Sequence, residues 1–320
     1  MTRIGVVGAG RVGAVLSAAL RAAGHEIVAA AGESTASVER IESMLPGVRR
    51  AKPTDVARSC DLLLLTVPDD MLENVVTTMV GAGAIRSGQV VCHTSGRHGL
   101  AVLRAATDIG AHPLALHPAM TFTGTSVDLD RLPGCVFGVT ALEEDRPLAE
   151  SLVSDMRGIA MWVPEDKRTL YHAGLAHGAN HLVTLVSQAM ELLAASGAED
   201  PAATLRPLLS AALDNALTSG DAALTGPIVR GDVNTVAAHL AEIGETAPAT
   251  IPSYVAMAKA TADRAVLDGR LLPIRAVKIV RLLDEALARV DLDVPVTEQG
   301  RARSSDHRFG EVRRHRTDRS

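Results

Sequence analysis

Ile4-Gly5-Val6-Val7-Gly8-Ala9-Gly10-Arg11-Val12-Gly13 decides how the rest of the chain is read. A short β-branched run enters the spacing G-x-G-x-x-G, and Val12, Val15, Leu16, Ala19 and Leu20 then recur at helical intervals. The glycines have a physical reason in this strand-to-helix context. Gly8 permits a tight turn, Gly10 lets a pyrophosphate approach the backbone, and Gly13 lets helix and strand pack closely. The helix start offers unpaired N–H groups and about half a positive charge to phosphate oxygens. Gly8, Ala9, Gly10, Arg11, Val12 and Gly13 are therefore the expected cofactor-binding turn.

Outward from this turn, apolar runs of strand length at 4–7, 26–30, 62–67, 90–93, 113–116 and 136–139 alternate with helical patterns. That alternation predicts parallel strands joined by crossover helices. Leu62-Leu63-Leu64-Leu65 is apolar at consecutive positions, as in a sheet covered on both faces. After Met161-Trp162-Val163-Pro164 the strand-like runs stop, and Ala- and Leu-rich helical spacing follows at 166–196, 201–219, 232–243, 251–268 and 274–291. Gly197, Pro201, Gly226-Pro227, Gly231, Pro248 and Pro252 mark helix ends. The expected organisation is an α/β domain over 1–164 with a doubly wound parallel sheet of the Rossmann type, then an all-helical domain over 165–295 for substrate and dimerisation. A polar, Arg-rich, aperiodic stretch over 296–320 reads as a disordered basic tail.

Composition narrows the function classes. Aromatic residues are 2% of 320 and hydrophobic residues 47%, so the cores must be built from Ala, Val, Leu and Ile. A net charge of -5 with almost no stacking platforms argues against a nucleic-acid partner. Cys60, Cys92 and Cys135 are widely spaced beside strand-like sequence, which suits reduced core thiols and a cytoplasmic location. No apolar run approaches the roughly 18 residues of a membrane span, and neither a membrane nor a targeting segment is expected.

In open α/β sheets ligands lie outside the carboxyl ends of the strands. After the second run, Glu33 points to a free ribose and hence NAD, whereas Ser34, Thr35, Ser37 and Arg40 could hold the 2′-phosphate of NADP. Alternatively, Ser37 caps the helix that carries Arg40. Val67 and Pro68 follow the third run and are expected to line the cofactor, with Asp69 read chiefly as a structural turn. His93-Thr94-Ser95-Gly96 follows the fourth run and can hydrogen-bond a carboxylate or carbonyl, or cap the next helix. His117, before Pro118 at the end of the fifth, either lines the pocket or is structural.

A polar stripe marks the long helix after the sheet. At about 100° per residue, His172, Ala176 and Asn180 share one side, with His177 and His181 to one side of it. The i, i+4 pair His177 and His181 lacks the Glu of H-E-x-x-H and reads as helix packing in preference to a metal site; no metal is expected. In the later loop Arg230 is the best-placed cation for an acidic group, while Asp232 suits an N-cap.

With these residues in view, the chain resembles the Rossmann-like proteins that carry a domain of unknown function 2520 (DUF2520). The marks are the Gly8 turn, Val67-Pro68-Asp69, His93 with Ser95-Gly96, His117-Pro118, Tyr171-His172-Ala173 with Asn180, and Thr225-Gly226-Pro227 with Arg230-Gly231-Asp232. That family is similar to the β-hydroxyacid dehydrogenases, ketopantoate reductases and pyrroline-carboxylate reductases. The resemblance implies an NAD(P)-dependent oxidoreductase, tilts the cofactor to NADP with NAD open, and makes reduction of a small 2-oxo acid the leading expectation. Ketopantoate, in pantothenate synthesis, is the best named substrate. An imine-reducing or prephenate-type dehydrogenase and a non-catalytic nucleotide sensor remain alternatives. The related dehydrogenases have Lys four residues before Asn, where this chain has Ala176. His172 is then the expected proton donor, with Asn180 orienting the substrate, Arg230 holding its carboxylate, and Ser95, Gly96 and His117 completing the substrate site. A homodimer through the helical half is also expected.

Overall fold

A computed structural model describes residues 1–293. Its sheet comprises β1 (Arg3–Val7), β2 (Glu26–Ala31), β3 (Leu62–Leu65), β4 (Val90–His93), β5 (His112–Pro118), β6 (Val136–Ala141) and β7 (Ile159–Trp162), in the order β2-β1-β3-β4-β5-β6-β7. Strand order reverses at β1, which has β2 on one side and β3 on the other. That reversal opens a crevice at the carboxyl end of β1.

The consecutive apolar residues of the central strands are explained by cover on both faces. Ile4, Val6, Leu62 and Leu64 enter one core with Leu16 and Leu20 of the first helix, Arg11–Ala22. Val7, Leu63 and Leu65 enter the other with Val56 and Val76. Alternate side chains of a strand point to opposite faces, so a run that looks uniform in sequence feeds two separate layers.

Two features depart from the expected sheet. β7 is an additional strand, beyond the six runs, with Ile159 and Met161 exposed at the edge. β6 runs antiparallel to β5, pairing His117 with Gly138, where parallel strands were expected throughout. The connection doubles back instead of crossing over. The Ala119 N–H, just past β5, donates to the Val136 carbonyl at the start of β6 at 2.8 Å. Fully buried Asp128 pins the loop by accepting from the Thr123 and Gly124 N–H groups at 2.9 and 2.7 Å.

Contacts divide the chain into two compact units, Met1–Leu182 and a second that begins at Val183. The first reaches into the long helix because Arg168 and Tyr171, on the first turn of Arg168–Leu175, are bonded to the sheet and its loops. In the second unit Val233–Thr246, Ile251–Leu267 and Pro273–Asp293 enclose a core that includes Val236, Ile243, Val255, Ala262, Ile279 and Leu283. The expected 166–196 helix is interrupted by a π-helical turn at Ala176–Asn180. The 296–320 tail lies outside the described residues. No described helix is long and apolar enough to cross a membrane.

Candidate functional site

A cavity of about 570 Å³ lies at the crevice beside β1, bounded by Gly8 and Gly10 at one end and Thr94 and Ser95 at the other. Its floor is made by close packing that tolerates no side chain. Gly8 has φ +92°, and a Cβ there would lie 2.8 Å from the Thr66 carbonyl and the Val67 nitrogen. A Cβ on Gly13 would fall 2.2 Å from Thr66 Oγ1, the hydroxyl that donates to the Gly8 carbonyl at 2.6 Å. Gly10 differs, because its missing Cβ would meet nothing nearer than the Gly8 carbonyl at 3.7 Å. Open space above Gly10, and a helix start with no acidic residue in its first turn, fit the pyrophosphate of a dinucleotide. Ala9 and Val12 line the same cavity, as do Val67 and Pro68 beyond β3.

Ser34 reaches this cavity but is also the N-cap of Thr35–Met44, accepting from the Ser37 N–H at 3.1 Å. The cap is thus Ser34, and Ser37 is instead buried against Gly32, where a Cβ would meet its side chain at 2.8 Å. Two arginines flank Gly124. Gly124 approaches both arginines, its missing Cβ falling 2.7 Å from Arg40 Nε and 2.9 Å from Arg11 Cγ.

At the far end of the cavity, fully buried His93 knits the turn after β4. Its Nδ1 accepts from the Ser95 N–H at 3.1 Å, which leaves Nε2 to donate to the Gly99 carbonyl at 2.8 Å. Burial pushes this imidazole down to about 3, against the raising influence of the Gly99 bond. His93 is therefore a neutral brace and not a proton donor. Ser95 Oγ accepts from the His98 N–H at 3.1 Å, closing the turn.

Gly96, His117 and His172 meet just beyond. A Cβ on Gly96 would fall 2.4 Å from His172 Cδ2 and 3.0 Å from His117 Nε2. The two imidazoles stand edge to face with centroids 5.8 Å apart. His117 Nδ1 lies 2.9 Å from Tyr171 Oη, in a hydrogen bond. Tyr171 crosses β6 where only glycine leaves room, since a Cβ on Gly138 would lie 2.6 Å from its hydroxyl. Burial, then the cation of Arg168, lowers His117 to about 4, and burial raises Tyr171. Near neutrality the pair is an uncharged imidazole and a protonated phenol.

Tyr171 and Arg168 were not singled out in the sequence reading as site side chains. Arg168 sits inside the run Glu165-Asp166-Lys167-Arg168, which reads as a solvated helix start, yet it is fully buried. The available signal was its i, i+3 spacing to Tyr171, which places both on one helical face.

The helix that carries His172, Ala176 and Asn180 includes the π-helical turn; His172 and Ala176 are half-buried and Asn180 is exposed. His177 and His181 are exposed, with Nδ1 atoms 3.0 Å apart. Asp69 lines the cavity and faces Arg97 Nε at 3.7 Å. Arg230 belongs to the second unit, exposed at the end of Pro227–Arg230. Asp232 caps Val233–Thr246, accepting from the Thr235 N–H and hydroxyl at 3.1 and 2.7 Å.

Comparison with known proteins agrees with this architecture. Residues 1–118 match the family model of the Rossmann-like domain and residues 135–261 that of DUF2520, a domain of unknown function. No curated protein matches the sequence. Among solved structures, the chain is similar to a Bacteroides fragilis protein proposed to be an NADP oxidoreductase, with TM-score 0.71 and 20% identity over 82% of this chain and 98% of that one. It is similar to a Streptomyces aurantiacus imine reductase, with TM-score 0.56 and 16% identity over 91% and 95%. A pyrroline carboxylate reductase of Plasmodium falciparum with NADP bound gives TM-score 0.54 and 12% identity over 88% and 98%. At these identities the likeness is one of fold; the two family matches put a Rossmann-like domain ahead of a DUF2520 domain in this chain.

Proposed function

We propose that the protein is an NAD(P)H-dependent reductase of a small oxo or imino acid. The observation that carries the reading is the continuity of one cleft, from the glycine turn that suits a pyrophosphate to Ser95, with Gly96, His117 and His172 next in line. A reduced nicotinamide would supply hydride to a C=O or C=N carbon. The chain must hold the acceptor, exclude water and deliver one proton to the oxygen or nitrogen.

His172 is the proton donor in this reading, because its ring edges the Gly96 turn while His93 and His117 are held neutral. Tyr171, bonded to His117, orients that imidazole. Ser95 and Gly96 hold the substrate, with Asn180 proposed to orient it and Arg230 to bind its carboxylate. Arg11 and Arg40 beside Gly124 favour the 2′-phosphate of NADP, with NAD accepted more weakly. The names of the structural neighbours point the same way for the cofactor, and widen the acceptor from a 2-oxo acid such as ketopantoate to a cyclic imine.

The experiment is NADPH and NADH binding and oxidation against ketopantoate, pyrroline-5-carboxylate, prephenate and simple cyclic imines. Turnover with one of them and tighter binding of NADPH are expected. Tight binding with no turnover on any acceptor transfers the case to a nucleotide sensor, the reading that Ala176 in place of the related lysine favours. Failure to bind either nucleotide overturns both.

Two copies are proposed to associate through the helices His181–Ala195 and Pro201–Ser219. The first buries no residue and the second only Leu205, while Val183, Leu208 and Leu217 are 65%, 65% and 79% exposed. So much uncovered Leu and Val on adjacent helices calls for a partner surface. Light scattering on the purified chain is expected to give a dimer mass; a monomer at all concentrations removes this part of the proposal. The buried free thiols of Cys60, Cys92 and Cys135 support placing the protein in the reducing cytoplasm.

A further inference from the structure

Arg168 heads the fully buried side chains by size, with no exposed surface. A guanidinium so far from water is costly unless a carboxylate neutralises it, and here its bonds go to uncharged acceptors. They are the Gly138 carbonyl at 3.2 Å, Thr140 Oγ1 at 3.0 Å and the Ser95 carbonyl at 2.6 Å, and Nε has no partner. The carboxylates around it are engaged with other groups. Glu165 accepts from the N–H groups of Leu100 and Ala101 at 2.7 and 3.0 Å, and Asp69 faces Arg97. No carboxylate is bonded to the guanidinium, and Glu165 and Asp69 act on its charge only through space.

The 2.6 Å bond falls on the peptide that joins Ser95 to Gly96. A charge-assisted bond to a peptide oxygen polarises the whole amide and makes its N–H a stronger donor. That N–H belongs to Gly96, which is buried against His117 and His172 and donates to no protein acceptor among the described residues. Across a trans peptide this N–H lies opposite the carbonyl that Arg168 holds, so the residue next to Ser95, the last to line the cleft, carries a strengthened donor backed by a fixed cation.

We propose that Arg168 is a positioning residue that fits the Ser95–Gly96 turn to a carboxylate, so that the cleft selects small anionic acceptors over neutral ones of the same shape. This rests on the reading of the cleft as a substrate site, and it provides a cation for the substrate within the first unit, independent of Arg230. With His93 and His117 neutral, Arg168 is the buried cation behind this turn, whereas Arg97 is exposed and faces Asp69.

The test is amide and binding NMR on the full chain with NADP⁺ present, titrated with pyruvate and with its neutral amide, pyruvamide. Pyruvate is expected to shift the Gly96 amide and to bind about tenfold or more tightly than pyruvamide, the margin of one charge-assisted bond. Equal binding of the two probes, or a Gly96 amide unmoved at saturating pyruvate, overturns the proposal. Arg168→Met should abolish the preference while pyruvamide binding stays within about threefold of the parent; a Met variant that keeps the preference overturns it. Should that variant fail to fold, Arg168→Lys, which retains the charge, should hold a preference for pyruvate, and a folded Lys variant that binds both alike is equally fatal. Since no hydride transfer is needed, a protein that binds pyruvate selectively but reduces nothing leaves this inference standing while the reductase reading falls.

Discussion

The two ends of the cleft are built in opposite ways. At the glycine turn the cavity is bounded by one short stretch of chain, from Val7 to Val12, where side chains matter by being absent at Gly8 and Gly10. At the far end Ser95 and Gly96 come from the turn after β4, His117 from β5, and Arg168, Tyr171 and His172 from a helix some fifty residues further on. The first end is a local property of the chain; the second exists only after the sheet has formed. A local turn is either present or absent, whereas an assembled cluster can be weakened one group at a time.

The largest expected effect lies at the local end. Gly8→Val must place a β-branched side chain at φ +92° against the backbone of Thr66 and Val67. A loss of roughly 3 kcal/mol of stability, together with loss of NADPH binding, is expected from urea denaturation and nucleotide fluorescence. A Gly8→Val protein of parental stability would remove the steric account of this turn.

Next comes the assembled end. His172→Ala should lower kcat about a hundredfold while NADPH affinity stays at the parental value, since His172 is not among the residues bounding the nucleotide cavity. Stopped-flow kinetics would measure both, and near-full turnover would reject His172 as the acid.

Acid should also separate the two ends. His93 and His117 ionise only near 3 and 4 in the folded protein, against 6.5 when unfolded. Below pH about 6.5 the unfolded chain therefore binds more protons, and stability falls as the pH drops toward 4, by up to about 1.4 kcal/mol per pH unit for each imidazole. Urea midpoints should follow this slope, and His93→Asn should roughly halve it. A parental slope in that variant would assign the acid sensitivity to other groups.

The smallest effect on the fold is expected at Gly10→Ala. The added methyl enters open space 3.7 Å from the Gly8 carbonyl, so stability should change by less than about 0.5 kcal/mol. NADPH affinity should nevertheless fall about tenfold, read by fluorescence titration. Gly8 and Gly10 then differ in kind, one required by the fold and the other by the ligand.

How much of this was legible follows the same division. The glycine turn and the apolar runs could be read because each is settled by neighbours a few positions away, and the strand edges moved by only a residue or two. Strand direction at β6 could not, since no pattern within Val136–Ala141 records which way its neighbour runs; the reversal is set by Asp128 and the meeting of Ala119 with Val136. The π-helical turn escaped for a related reason: Ala176-His177-Gly178-Ala179-Asn180 is compatible with an ordinary helical step. His117 and His172 were singled out by chemistry alone. Their contact at Gly96, and the burial of an arginine from a charged run, depend on partners from about twenty to more than seventy positions away.

The scarcity of aromatics, first met as a limit on the core, has an optical consequence. The chain has two tyrosines; Tyr171 lies in the first unit and Tyr254 in the second, each with its hydroxyl 2.9 Å from a histidine nitrogen. Ultraviolet absorbance of tyrosinate therefore reduces to two chromophores, one for each unit. A Tyr254→Phe protein would leave the candidate site as the sole source of that absorbance, a reporter already present in the natural sequence.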